Sequence, residues 1–113
     1  MAVIDIFEGY FPASCVYNGR ERHAAKVTLT SDSEKGQIRY EAAVTFFPHD
    51  DEEDFAVSYD AYASRVVYEG KGRRSKKKEK VFLEELPDIV RELSEELEGE
   101  VDLEHPLREV RLG

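Results

Sequence analysis

The chain has 113 residues, 41% of them hydrophobic, with 16 Lys/Arg against 25 Asp/Glu and a formal net charge of −9. That length holds one domain around a single core, and six Phe with six Tyr exclude a disordered chain. Lone Cys15 excludes an internal disulfide, no apolar run reaches the roughly 18 residues of a membrane helix, and no signal peptide is expected where residues 1–8 carry acids in place of a basic region.

In chain order, residues 3–7 read as an edge strand and residues 14–17 as a second short one. Asn18-Gly19 is a two-residue hairpin signal, since both residues tolerate positive φ. Residues 23–30 alternate Ala25, Val27 and Leu29 against polar neighbours, the period of a half-buried strand. Residues 31–36 are a polar stretch ending in glycine and read as a hairpin loop. Residues 37–47 place Ile38, Tyr40, Ala42, Val44 and Phe46 on one face and Arg39, Glu41, Ala43, Thr45 and Phe47 on the other.

A third long strand is expected over residues 55–68. Phe55, Val57 and Tyr59 have the opposite parity to Val66 and Tyr68, so a bulge is expected between 60 and 65. After residue 80 the period becomes helical: Leu86, Ile89, Val90, Leu93 and Leu97 form one apolar stripe. Pro87 suits a first helical turn and Gly99 a C′ position, which predicts a helix over 87–98. Residues 80–85 fit either a helical lead-in or a strand, and Val101 with Leu103 suggests a final short strand. The sum is an α+β domain over residues 1–113. It has an antiparallel sheet of four to five strands and one C-terminal amphipathic helix packed on one face.

Charge is uneven along the chain. Residues 1–69 carry six bases and thirteen acids, residues 70–80 seven and one, residues 81–113 three and eleven. The basic segment, Lys71, Arg73, Arg74, Lys76, Lys77, Lys78 and Lys80, is expected as a mobile loop over 70–80. Gly70, Gly72, Ser75, Lys76, Lys77 and Lys80 resemble the strand-to-helix corner of double-stranded RNA-binding domains, G-x-G-x-S-K-K-x-A-K. One extra residue intervenes, and Glu79 replaces the alanine. The resemblance implies lysines that hold phosphates at the start of a last helix, and a further helix ahead of the sheet. Nothing before His23 reads as that helix.

Catalytic and metal signatures are thin. His23, His49 and His105 are scattered, no nucleotide-binding loop is present, and Cys15 in a strand reads as a buried thiol. The acidic run at 49–54 lacks the glycine of a calcium loop and reads as a solvated connection. On the helix, Asp88, Glu92 and Glu96 stand at successive i, i+4 positions, widened by Glu95 and Glu98. Such a row can meet a basic groove as phosphates would.

The leading expectation is a cytoplasmic, non-enzymatic protein-binding module, an adaptor or inhibitor, that uses the acidic face of Asp88, Glu92, Glu95 and Glu96. Nucleic-acid or anionic-ligand binding through residues 71–80 stands second, because the acidic body repels polyanions. An enzyme whose site only the fold assembles stands third. No cofactor, metal or membrane is expected. A sheet face left uncovered, with Phe47 and Tyr62 on it, would favour a homo-oligomer.

Overall fold

The structure is a computed structural model and describes residues 2–48, 61–108 and 111–112. The acidic run at 49–54 and the first part of the expected third strand, residues 55–60, lie outside the described residues.

Two tight turns set the register of the sheet. At Asn18-Gly19 φ is 52° and 75°, and at Lys35-Gly36 it is 51° and 76°. Positive φ at both central residues matches the right-handed twist of the strands they join. The turns connect β1 (Ala2–Tyr17) to β2 (Arg20–Glu34), and β2 to β3 (Gln37–Phe47). The expected loop at 31–36 therefore shrinks to two residues, and Ser31 is a buried strand residue. β4 (Tyr62–Lys71) pairs with β3, all four strands run antiparallel, and the order is β4-β3-β2-β1-β5. Here β5 is Gly99–Val101, paired with Ala13–Cys15, and the two-residue β6 (Arg111–Leu112) pairs with Phe7–Glu8.

β1 is one 16-residue strand rather than two short ones, and it lies inside the sheet rather than at its edge. Its register to β2 shifts between Asp5 and Phe7 and again between Pro12 and Cys15. Each shift adds a residue to β1, which breaks the alternation that would have shown one strand. The bulge in β4 also moves. Tyr40 pairs with Tyr68 and Glu41 with Val66, so the extra residue is Val67 rather than one between 60 and 65.

The helix, α1, spans Lys76–Glu96, eleven residues ahead of the expected start. Ser75 is the N-cap, and its Oγ accepts the Lys78 amide at 3.3 Å. Residues 80–85 are thus helical, and the basic run at 70–80 is strand end, short linker and first helical turns. Pro87 lies inside the helix on an exposed position. It removes one ladder bond, a loss on the order of 3 kcal/mol for an interior proline. Burial on both sides of it, by Phe82 and Leu86 before and Ile89 and Leu93 after, keeps the helix continuous. No helix among the described residues is long and apolar enough to cross a membrane.

These helix residues pack on one sheet face, against Phe11, Val27, Leu29, Tyr40, Val44 and Phe46. On the opposite face Phe47 is fully buried with Tyr10 and Ala24, while Tyr62 and Val66 of β4 stay exposed. Phe47 is therefore closed off within the single chain and is not part of an open oligomerisation face. The strand residues ahead of the sheet's centre contain no helix, which departs from the double-stranded RNA-binding pattern.

The helix also ends differently from expectation. Leu97 is the C-cap, and Glu98, not Gly99, adopts the left-handed conformation, with φ 55°. Gly99 serves a close approach instead: an added Cβ would meet Phe46 Cζ at 2.9 Å, Cys15 Cβ at 3.0 Å and the Ser14 carbonyl at 3.1 Å. Gly99→Ala should destabilise by about 1–3 kcal/mol through overpacking, read as a lower denaturant midpoint. Leu93, fully buried, should cost about 2–5 kcal/mol as Leu93→Ala in the same measurement.

Candidate functional site

The chain carries two charged regions at opposite ends of α1, and the fold treats them differently. At the carboxyl-terminal end, close contact of β5 with β1 draws the tail alongside the helix. Three bonds hold it there: Cys15 Sγ donates to the Leu97 carbonyl at 3.3 Å, the Asp102 amide to Pro12 at 2.9 Å, and the Leu107 amide to Tyr10 at 2.8 Å. Between the second half of α1 and this tail runs a groove of about 870 Å³. Its apolar lining comes from Pro87, Val90, Val101 and Leu103. Its acids are Asp88, Glu95, Glu98, Glu100, Asp102 and Glu104, with Arg91 the one cation in the lining. Arg91 is already paired with Asp88 at 3.2 Å.

The four acids expected on the helix are divided by the fold. Asp88 and Glu95 line the groove. Glu92 and Glu96 turn the other way and pair with Arg65 of β4. The continuous row of carboxylates is thereby broken, and reversing Glu92 and Glu96 would disturb a helix–sheet contact. Glu98, expected to widen the helix face, also lines the groove, and three further acids, Glu100, Asp102 and Glu104, complete it without having been singled out from the sequence. Their signal was present as acids at every second position, the period of an extended segment.

At the groove's lip, Asp102 Oδ1 accepts the Glu104 amide at 3.0 Å, and Oδ2 lies 2.8 Å from His105 Nδ1. The imidazole and the amide hold the Asp102 carboxyl below the usual range, and the carboxylate raises His105. Both side chains are exposed, so the pair adds little to stability.

At the amino-terminal end the basic segment is pinned. Buried Glu79 accepts Arg74 Nε at 2.9 Å and Nη2 at 2.8 Å, and Tyr40 Oη donates to it at 2.9 Å. The Ser75 amide in turn donates to Tyr40 Oη at 3.0 Å. Hydrogen bonding from Arg74, offset in part by burial, holds the Glu79 carboxyl below its ordinary value. Lys78 lies 2.8 Å from Tyr68 Oη and over that ring. Lys71 closes β4, while Lys71, Arg73, Lys76, Lys77 and Lys80 are exposed.

Burial raises the Cys15 pKa, and its proton is committed to the Leu97 carbonyl, so the thiol is a packing group. Among the described residues no group of three or more His, Cys, Asp and Glu could hold a metal ion.

Set against protein-family models, curated protein sequences and solved structures, the chain matches none of them. Its own geometry carries the functional argument.

Glu79→Gln should destabilise by about 1.5–3 kcal/mol, the worth of hydrogen bonds to a charged group. The lower end is expected, because Arg74 is about a third exposed and water can replace the lost partner. A depressed carboxyl stabilises fully above its unfolded pKa, and that contribution fades as pH falls through the folded value. The gap between wild type and Glu79→Gln in urea melts should therefore be constant near neutrality and close below the ordinary glutamate range.

Proposed function

We propose that this chain is a cytoplasmic protein-binding module whose acidic groove receives a basic, partly apolar segment of a partner protein. The observation that carries the reading is the groove's composition: six carboxylates around an apolar lining, with its single arginine already neutralised. Apolar side chains of the partner would desolvate against Val90, Val101 and Leu103, and its Lys or Arg would reach the carboxylates. Apolar contact supplies the affinity and the charges supply rate and selectivity. A net charge of −9 also steers cationic partners from a distance, more strongly at low salt.

Panning a random twelve-residue peptide library against the purified chain tests this. The enriched peptides should combine Lys or Arg with apolar residues and bind less tightly as salt rises. Their affinity should fall at least tenfold in a Glu95→Lys, Glu100→Lys double variant, both positions being exposed on the lining. Enrichment without cations, or affinity untouched by both reversals, would overturn the reading. Acidification that protonates His105 places a cation beside Asp102, so binding should weaken as pH falls through the raised histidine pKa.

A further inference from the structure

The basic end of the molecule is a built surface, and its cations are mostly unspent by the fold. Of the seven between 71 and 80, Arg74 is held by Glu79 and Lys78 by Tyr68. Lys71, Arg73, Lys76, Lys77 and Lys80 are exposed and have no hydrogen-bond or ion-pair partner among the described residues. Lys35, at the β2–β3 turn, joins them. The Gly72 amide donates to the Gly36 carbonyl at 2.9 Å, which ties that turn to the linker. Lys35, Arg73 and Arg74, with Glu34 among them, line one depression of about 410 Å³ at the junction. The backbone beneath the patch is thus fastened at Gly72, at Ser75 through Tyr40 and at Arg74 through Glu79.

The placement costs the fold stability. Lys76, Lys77 and Lys78 occupy the first turn of α1 and Lys80 the next, so like charges gather where the helix end is already positive. Glu79, the acid of the first turn, is buried and spends its hydrogen bonds on Arg74 and Tyr40, so it offsets Lys76 only in part. An anion bound at the surface would relieve both the mutual repulsion and the conflict with the helix end.

The geometry points to a nucleic-acid phosphate backbone as the occupant of this end. The cations run from Lys35 across the linker to Lys80, and Lys76 and Lys80 are separated by about 6 Å along the helix axis. One isolated phosphate can bridge that single pair but cannot engage the whole run from Lys35 to Lys80, whereas a strand presents phosphates in series. A membrane fits less well: its continuous anionic plane would meet the exposed acids Glu34, Glu69, Glu84 and Glu85 that flank the patch. A narrow polyanion touches the cations and leaves the acidic body projecting away. Among the described residues, Tyr68, half-buried beneath Lys78, is the ring placed among these cations, and no exposed ring there is offered to a base. Recognition is therefore by backbone and independent of sequence. The groove's helical lining begins at Pro87, about 16 Å from Lys76 along the axis, and continues to the far end of α1, so the two surfaces share no residue.

Fluorescence anisotropy with labelled 25-base-pair DNA and RNA duplexes between 50 and 200 mM salt tests the inference. Four engaged cations give a log–log slope of about −3.6 on duplex, a loss of roughly a hundredfold over that range. A variant with Arg73, Lys76, Lys77 and Lys80 changed to Gln should lose the binding and keep the wild-type melting curve or raise it. Single variants Lys76→Gln and Lys80→Gln should each take about 0.9 from the slope, which keeps the test decisive should the quadruple variant misfold. Glu95→Lys, in the groove, should bind duplex at least as tightly as wild type. No binding at 50 mM salt, or a slope unchanged in the single variants, overturns the inference. So does lysine-dependent binding to phosphatidylserine vesicles without any to duplex.

Discussion

The carboxylate of Glu79, buried under the first turn of α1, is where sheet, linker and helix meet. It accepts from Tyr40 on β3 and from Arg74 on the linker, while Tyr40 accepts the Ser75 amide. A charge so buried is tolerable only when its oxygens are fully engaged. Any other approach of the helix to the sheet would strand that carboxylate among Tyr68 and Phe82, which pack around the Tyr40 ring. The knot therefore specifies where the helix begins more sharply than the apolar stripe can, because a stripe of leucines can slide by a turn with modest loss. The basic end and, through the rigid helix, the groove at the far end inherit their positions from it.

With that anchor in place, α1 runs with its charges set against its own dipole. Free lysines crowd the positive end, and the last turn carries acids with no base. Arg65 offsets part of the acidic side by pairing with Glu92 and Glu96 across β4. The remainder lines the groove. A helix selected for stability alone would carry the reverse order.

Much of the fold was legible because its signals are local. Asn18-Gly19 encodes its own turn, the alternation from Ile38 to Phe46 encodes the buried face of β3, and Leu86 to Leu93 encodes the docked side of α1. What was not legible depends on distant partners. Pro87 resembled a helix start because nothing nearby shows that Ser75 caps the helix and that Tyr40, 39 residues before Glu79, anchors it. β1 looked like two strands because its register shifts erase the alternation. Of the groove's acids, Asp88, Glu95 and Glu98 stand out by helical spacing. Glu92 and Glu96 share that spacing, although Arg65 claims them. Glu100 to Glu104 follow an extended period whose relation to the helix only the β1–β5 contact establishes.

That contact gives Cys15 a second significance. Its thiol sits against Gly99 and beneath the Leu97 carbonyl, burial keeps it protonated, and the chain has no other cysteine. A thiol-reactive dye reaches it only when the end of α1 and β5 move away from β1, so the labelling rate reports opening of that corner. The molecule thus carries a built-in clock for the breathing of its groove.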